Sequence, residues 1–146
     1  MSYGSYHCLM YSPRADMERF PMDNHWGVDE LPEGAIGFIY KITLRGKWYI
    51  GKKRCVRMTK QRKRFENHAW KTYTGSSKTL NADIERLTTK PKFEILQWCS
   101  CLSELNYAEI VHHVNTDAIR DPKCYNVQVG DTRIYHARGW WMDLTD

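Results

Sequence analysis

IGFIYKITL (36–44), RG (45–46) and KWYIG (47–51) decide how this chain folds. The two outer segments are rich in Ile, Phe, Tyr and Trp, residues that favour strands. Gly46 marks a turn between them. As a two-residue loop, Arg45-Gly46 pairs Leu44 with Lys47 and sets Ile42 opposite Tyr49. Side chains alternate along a strand and cross-strand partners share a face, so Tyr40 and Tyr49 become diagonal neighbours on one side. A three-residue loop with Gly46 in a bulge puts them on opposite sides; the sequence permits both. Read alone, each tyrosine is a half-buried strand residue with its hydroxyl at the rim.

The stretch after the hairpin changes that reading. Between Lys52 and Arg64 the 13 residues carry eight positive charges and no acid. The whole chain has 22 Lys plus Arg and 17 Asp plus Glu, so elsewhere acids outnumber bases. Charge concentrated in this way is the footprint of a polyanion contact. A solvated helix face normally mixes signs, and this stretch does not. Lys52, Lys53, Arg54, Arg57, Lys60 and Lys63 are therefore the candidate nucleic-acid-binding residues. Over residues 56–71 the composition suits a helix, with Thr59 as its cap. Lys60, Arg64 and His68 would then lie on one face at successive turns. An arginine and a histidine so placed could reach one phosphate, the first as a fixed charge and the second as a proton carrier.

Phe38-Ile39-Tyr40, Tyr49-Ile50-Gly51 and Arg64-x-x-x-His68, in that order, resemble the GIY-YIG nuclease superfamily, and its phage and homing-endonuclease branch most. The rest of the chain is consistent with this. Thr74-Gly75-Ser76-Ser77 precedes a helix bearing Leu80, Ile84 and Leu87. Residues 92–98 alternate as a strand. Ser103 opens a helix containing Glu109, and Tyr125-Asn126 closes the pattern. The resemblance spans residues 34–129. It implies an α+β fold, a small and mainly antiparallel three-stranded sheet flanked by helices. It also implies that Tyr40, Tyr49, Arg64, His68 and Glu109 are catalytic, with Glu109 the metal ligand and Asn126 and Gly51 in support. The chain departs from the pattern in three ways. Phe38 stands where glycine is usual, with Gly37 one place earlier. The spacer between the two motifs is eight residues. The approach to the helix arginine is long, which leaves Arg57 and Arg62 as rivals to Arg64.

The chemistry can be argued from the residue types. Phosphodiester hydrolysis needs an activated water, stabilisation of growing negative charge and help for the leaving oxygen. A divalent cation held by one carboxylate can polarise a phosphoryl oxygen. Mg²⁺ keeps several waters and uses few protein ligands, so Glu109 alone could hold one ion, Mg²⁺ or Mn²⁺. Glu104 is a competing carboxylate, and a glutamate at the margin of an apolar stripe can equally point to solvent. A free tyrosine has a pKa of about 10 and is a poor base at neutral pH. Neighbouring cations are expected to lower it, so that Tyr40 or Tyr49 orients or deprotonates the water, with His68 as partner. The expected substrate is duplex DNA. A single site per chain would cut both strands through a homodimer or a second encounter. The alternatives are a non-catalytic nucleic-acid-binding or inhibitory protein on the same scaffold, and an interaction protein whose basic stretch binds an acidic partner.

Composition sets the outer limits. At 146 residues the chain is long enough for a sizeable core. The mean hydropathy of −0.66 and the absence of a long apolar run argue against a membrane helix. Five cysteines, an odd number, and no apolar leader point to a reducing, cytoplasmic setting in a bacterium or phage-infected cell, not to secretion. Cys99, Cys101, Cys124, His112, His113, His7 and Cys8 lack common zinc spacing and read as buried thiols and surface histidines. Residues 1–33 read as an extension packed on the domain, with a short helix near 15–20. Residues 130–146, with Tyr135, Trp140 and Trp141, read as a tail docked on its own core.

Overall fold

Arg45 and Gly46 both adopt positive φ, 54° and 82°, the backbone of a two-residue turn whose twist matches the strands it joins. The structure is a computed structural model that describes residues 24–133. In chain order its elements are β1 (Gly37–Leu44), β2 (Lys47–Arg54), β3 (Val56–Met58), β4 (Arg64–Glu66), a 3₁₀ turn (His68–Thr72), α1 (Lys78–Arg86), β5 (Lys92–Cys99), α2 (Leu102–Asn115), a 3₁₀ turn (Ala118–Arg120), β6 (Gln128–Val129) and β7 (Thr132–Arg133). The expected helix at 15–20 and the tail aromatics Tyr135, Trp140 and Trp141 lie outside the described residues, as do His7 and Cys8.

The main sheet has the order β2-β1-β5 and is antiparallel throughout. The two-residue register holds: Leu44 pairs with Lys47, Ile42 with Tyr49 and Tyr40 with Gly51. Tyr40 and Tyr49 are therefore diagonal neighbours on one face, ring centroids 6.1 Å apart. As the central strand, β1 is covered on both sides, which is why its sequence is almost continuously apolar. One face buries Phe38, Tyr40, Ile42 and Leu44 against Trp26, Trp70, Leu80 and Ile84. The other buries Ile39 and Ile50 against Leu105 and Ala108 of α2. Capping fixes where the helices begin. Ser77 accepts the amide of Leu80 at the start of α1, and Cys101 Sγ accepts that of Glu104 at the start of α2. Among the described residues no helix is long and apolar enough to cross a membrane.

The basic stretch is not the helix its residue types favour. Val56–Met58 and Arg64–Glu66 pair as a second, two-stranded hairpin. Its loop closes through Thr59 N to Lys63 O at 2.8 Å and Arg62 N to Thr59 O at 2.9 Å, with Arg62 at φ 63°. The 3₁₀ turn beyond it buries Trp70 completely, and its indole N–H donates to Glu66 at 2.9 Å. Helix propensity amounts to tenths of a kcal/mol per residue, and a helix here would have lacked an apolar stripe to dock. Burial of Val56 and Trp70 wins.

Candidate active site at the sheet edge

β2 is an outer strand, and the segment after α2 returns along its free side. Trp48 donates its backbone amide to Lys123 O at 3.0 Å, and Tyr125 N donates to Trp48 O at 2.8 Å. Asn126 then uses its side chain where a strand would use its backbone. Its Oδ1 accepts Ile50 N at 2.9 Å and its Nδ2 donates to Ile50 O at 2.8 Å. His113 completes the arrangement. Gly130 N donates to His113 Nδ1 at 3.0 Å, which leaves the ring proton on Nε2, and Nε2 donates to Ile50 O at 2.8 Å. The imidazole is buried, 2% exposed, not at the surface as its sequence reads. The signal for it was its position one helical turn after Glu109.

Beside this network lies a cleft of about 570 Å³. Tyr49, Lys52, Ser76, Glu109, His113 and Asn126 are among the residues that line it. Glu109, on α2, is 7% exposed, and its Oε1 has no hydrogen-bond partner. Lys52 Nζ stands 3.4 Å from that oxygen, an ion-pair separation, while donating to Asn106 at 2.8 Å and reaching Asp131 at 3.2 Å. Burial raises the Glu109 carboxyl above its ordinary pKa, with His113 and Lys52 pulling against it. This is the buried orientation of the glutamate, not the solvent-facing one. Glu104 instead accepts the amide and hydroxyl of Ser100.

The tyrosines approach the cleft from the other face of the sheet. Tyr49 lines it and shares a hydrogen bond with Ser76 Oγ at 3.1 Å. Tyr40 lies beneath, 1% exposed. Gly51 leaves room for both rings. A Cβ there would come within 2.5 Å of the Tyr40 hydroxyl and 3.0 Å of the Tyr49 ring. Burial pushes both phenols up, Tyr40 well above its ordinary value, and the neighbouring phenols add to the effect. This reverses the lowering expected from nearby cations.

Arg64 and His68 are not brought to this cleft. With the helix replaced by a hairpin, the Arg64 guanidinium points to Ala35 O at 3.4 Å, and His68 Nδ1 faces Glu66 at 3.3 Å. Arg57, Lys60, Arg62 and Lys63 are exposed on the same hairpin. Lys53 lies over the Tyr73 ring at 4.3 Å, and Arg54 donates to Val56 O at 3.0 Å. Of the basic residues expected to bind nucleic acid, Lys52 alone lines the cleft. Asn106, Asp131 and Ser76 join the site without having been singled out by the sequence, since each is a short polar residue whose role depends on where a distant Lys52 or Tyr49 arrives.

No curated protein and no solved structure matches this chain. One family does, that described as "Putative endonuclease segE, GIY-YIG domain", over residues 22–129. With Tyr49, the buried helix glutamate and the strand-edge asparagine on one cleft and Tyr40 beneath it, the chain belongs to the GIY-YIG nuclease superfamily through that endonuclease domain.

Proposed function

We propose that this protein is a divalent-cation-dependent endonuclease that hydrolyses phosphodiester bonds of duplex DNA in the cleft at the β2 edge. One observation carries the reading: buried Glu109, whose Oε1 accepts no hydrogen bond and faces only the Lys52 ammonium at 3.4 Å, lines the same cleft as Tyr49. A carboxylate oxygen desolvated without a hydrogen bond is costly, and a cation would satisfy it. Among the described residues, no group of three or more His, Cys, Asp or Glu side chains is arranged to hold a metal ion. A single-carboxylate site completed by water and substrate oxygens suits Mg²⁺ or Mn²⁺. When bound, such an ion polarises a phosphoryl oxygen and stabilises the leaving oxygen.

The chain's own residues divide the remaining work. Lys52, between Glu109 and Asp131, offers its ammonium to the negative charge that grows on the phosphate, the part expected of Arg64. Tyr49 orients the attacking water through its hydroxyl, held by Ser76. Tyr40 supports the Tyr49 ring and keeps its own proton. His113 and Asn126 fix the Ile50 peptide, and with it the positions of Tyr49 and Lys52 on either side. Arg64 and His68 have no part in this reading. A second chain or a second encounter would be needed to cut both strands.

Supercoiled plasmid incubated with Mg²⁺ or Mn²⁺ tests the proposal. Nicking that EDTA abolishes, and that Tyr49→Phe reduces by about a hundredfold or more, is the expected result. Full activity in both Tyr49→Phe and Tyr40→Phe would remove the tyrosines from the chemistry. A salt-sensitive gel shift with no cutting would identify a binding protein on the nuclease scaffold.

A further inference from the structure

On the reading that Glu109 is the cation ligand, we infer that Lys52 is its resident counter-ion: Glu109 takes a divalent cation only as the Lys52 ammonium withdraws to Asp131 and Asn106. Glu109 is 7% exposed on α2, and its Oε1 accepts no hydrogen bond. The Lys52 ammonium stands 3.4 Å from that oxygen. Glu109 Oε2 faces the His113 ring at 4.0 Å, but the proton on that nitrogen goes to Ile50 O at 2.8 Å. Among the described residues, Lys52 is thus the one permanent cation paired with Glu109.

Lys52 is itself divided. An ammonium carries three donors, and Lys52 Nζ donates to Asn106 Oδ1 at 2.8 Å and to the two oxygens of Asp131 at 3.2 and 3.4 Å. Turning away from Glu109 leaves the shortest of these contacts, to Asn106, in place. The four-carbon stem of lysine is flexible enough for such a turn. Asp131 waits in the turn between β6 and β7 with its side chain 82% exposed, and it lines the same cleft.

The two cations exclude each other. An ammonium and a divalent ion on one carboxylate repel, and most strongly where water is shut out. With neither of them, Glu109 is a buried charge without a counterpart, the costly case. Lys52 keeps the carboxylate compensated until the cation arrives. The exchange also delivers the lysine, because an ammonium released from Glu109 is free to meet a backbone phosphate in the cleft. Asp131 and Asn106 are thereby positioning residues, which act on the cation site through Lys52.

Mn²⁺ binding to the full chain without DNA tests the exchange. It is read from the EPR signal of the free ion, above neutral pH so that protons do not compete for the carboxylate. Lys52→Met should bind Mn²⁺ at least about tenfold more tightly than wild type, the scale on which groups beside a ligand alter metal affinity. Lys78→Met removes the same charge from an exposed lysine that lines the cleft and should change little. Asp131→Asn should weaken binding by leaving Lys52 to Glu109, and should do so far less in the Lys52→Met background. An equal loss in both backgrounds overturns the part given to Asp131. Equal affinity in wild type and Lys52→Met, or equal tightening in Lys78→Met, overturns the exchange and leaves Glu109 as the ligand. Mn²⁺ binding that Glu109→Gln does not weaken sinks the cation reading, and the exchange with it. Thermal melts keep the test open if Lys52→Met is unstable. In EDTA it should melt earlier than wild type, Lys52→Met/Glu109→Gln should recover most of that loss, and Mn²⁺ should raise the melting temperature of Lys52→Met more than that of wild type. An equal rise in the two overturns the exchange.

Discussion

On one face of the sheet, Trp26, Phe38, Tyr40, Trp70 and Trp98 meet mostly edge to face, with centroids 5.1–6.5 Å apart. On the other, small aliphatic contacts between Ile39, Ile50, Leu105 and Ala108 seat α2. The motif tyrosines belong to the first face and the charged groups, Lys52 and Glu109, to the second. An aromatic layer excludes water and keeps phenols neutral; an aliphatic layer ending at a strand edge sets a buried carboxylate against an ammonium at its margin. The two chemistries meet at the edge of β2, where Tyr49, Lys52 and Glu109 line one cleft. A phenol and a carboxylate, both desolvated, can thus serve one cleft from opposite faces of the sheet.

The largest expected break in this contrast is Glu109→Gln. Cation-dependent cleavage should fall by more than the roughly 100-fold typical of residues that only support a ligand. Stability should hold or rise, because a desolvated carboxylate is removed. The sign is set by the raised folded pKa: the native state holds the proton longer, so the contribution of Glu109 to wild-type stability declines as pH rises above about 4.3. Urea melts across pH should show that decline in the wild type and not in Glu109→Gln.

Gly51→Ala comes next, since its methyl would fill space the two tyrosine rings occupy. Overpacking against Tyr40 and Tyr49 should cost about 1–3 kcal/mol in denaturant melts and displace both rings together. Asn126→Ala leaves Ile50 N without its partner, at about 1–3 kcal/mol, while Ile50 O keeps the His113 imidazole. If thermal melts show no loss there, water replaces the amide and the strand edge is wet. The smallest effect concerns the aromatic face alone. The folded pKa of Tyr40 lies above its unfolded value, so stability should fall as pH rises past about 10. Tyr40→Phe should lessen that fall; Tyr125, pushed up to about 12 by burial and the Asp83 hydrogen bond, retains a share.

The hairpin was legible because Arg45-Gly46 is a local signal, but its register was left open between two loops; the positive φ of both residues and the Leu44–Lys47 pairing select the two-residue one. Glu109 and Asn126 were legible through the order of the motifs. Their contacts were not, because Ile50, His113 and Gly130 are far apart in sequence and meet through the sheet edge. Residues 56–71 misled for a different reason. Lys, Gln and Arg score well as helix formers, and the turn that breaks the helix places Arg62, not glycine, in the left-handed region. The buried anchor that decides the matter, Trp70, lies at the far end of the stretch. The assignment of Arg64 and His68 to one phosphate rested on that helix and goes with it.

Asn126 and the backbone of 123–125 have one more consequence. An outer strand with open amides and carbonyls is a template on which another chain can add a strand and begin to aggregate. Here the outward groups of Trp48 and Ile50 are already taken, one by neighbouring backbone and the other by an amide side chain. A side chain can satisfy an edge without extending it, so the ladder stops there. The device that holds the cleft open is therefore also a guard on solubility, and variants that loosen Asn126 should lose soluble yield as well as activity.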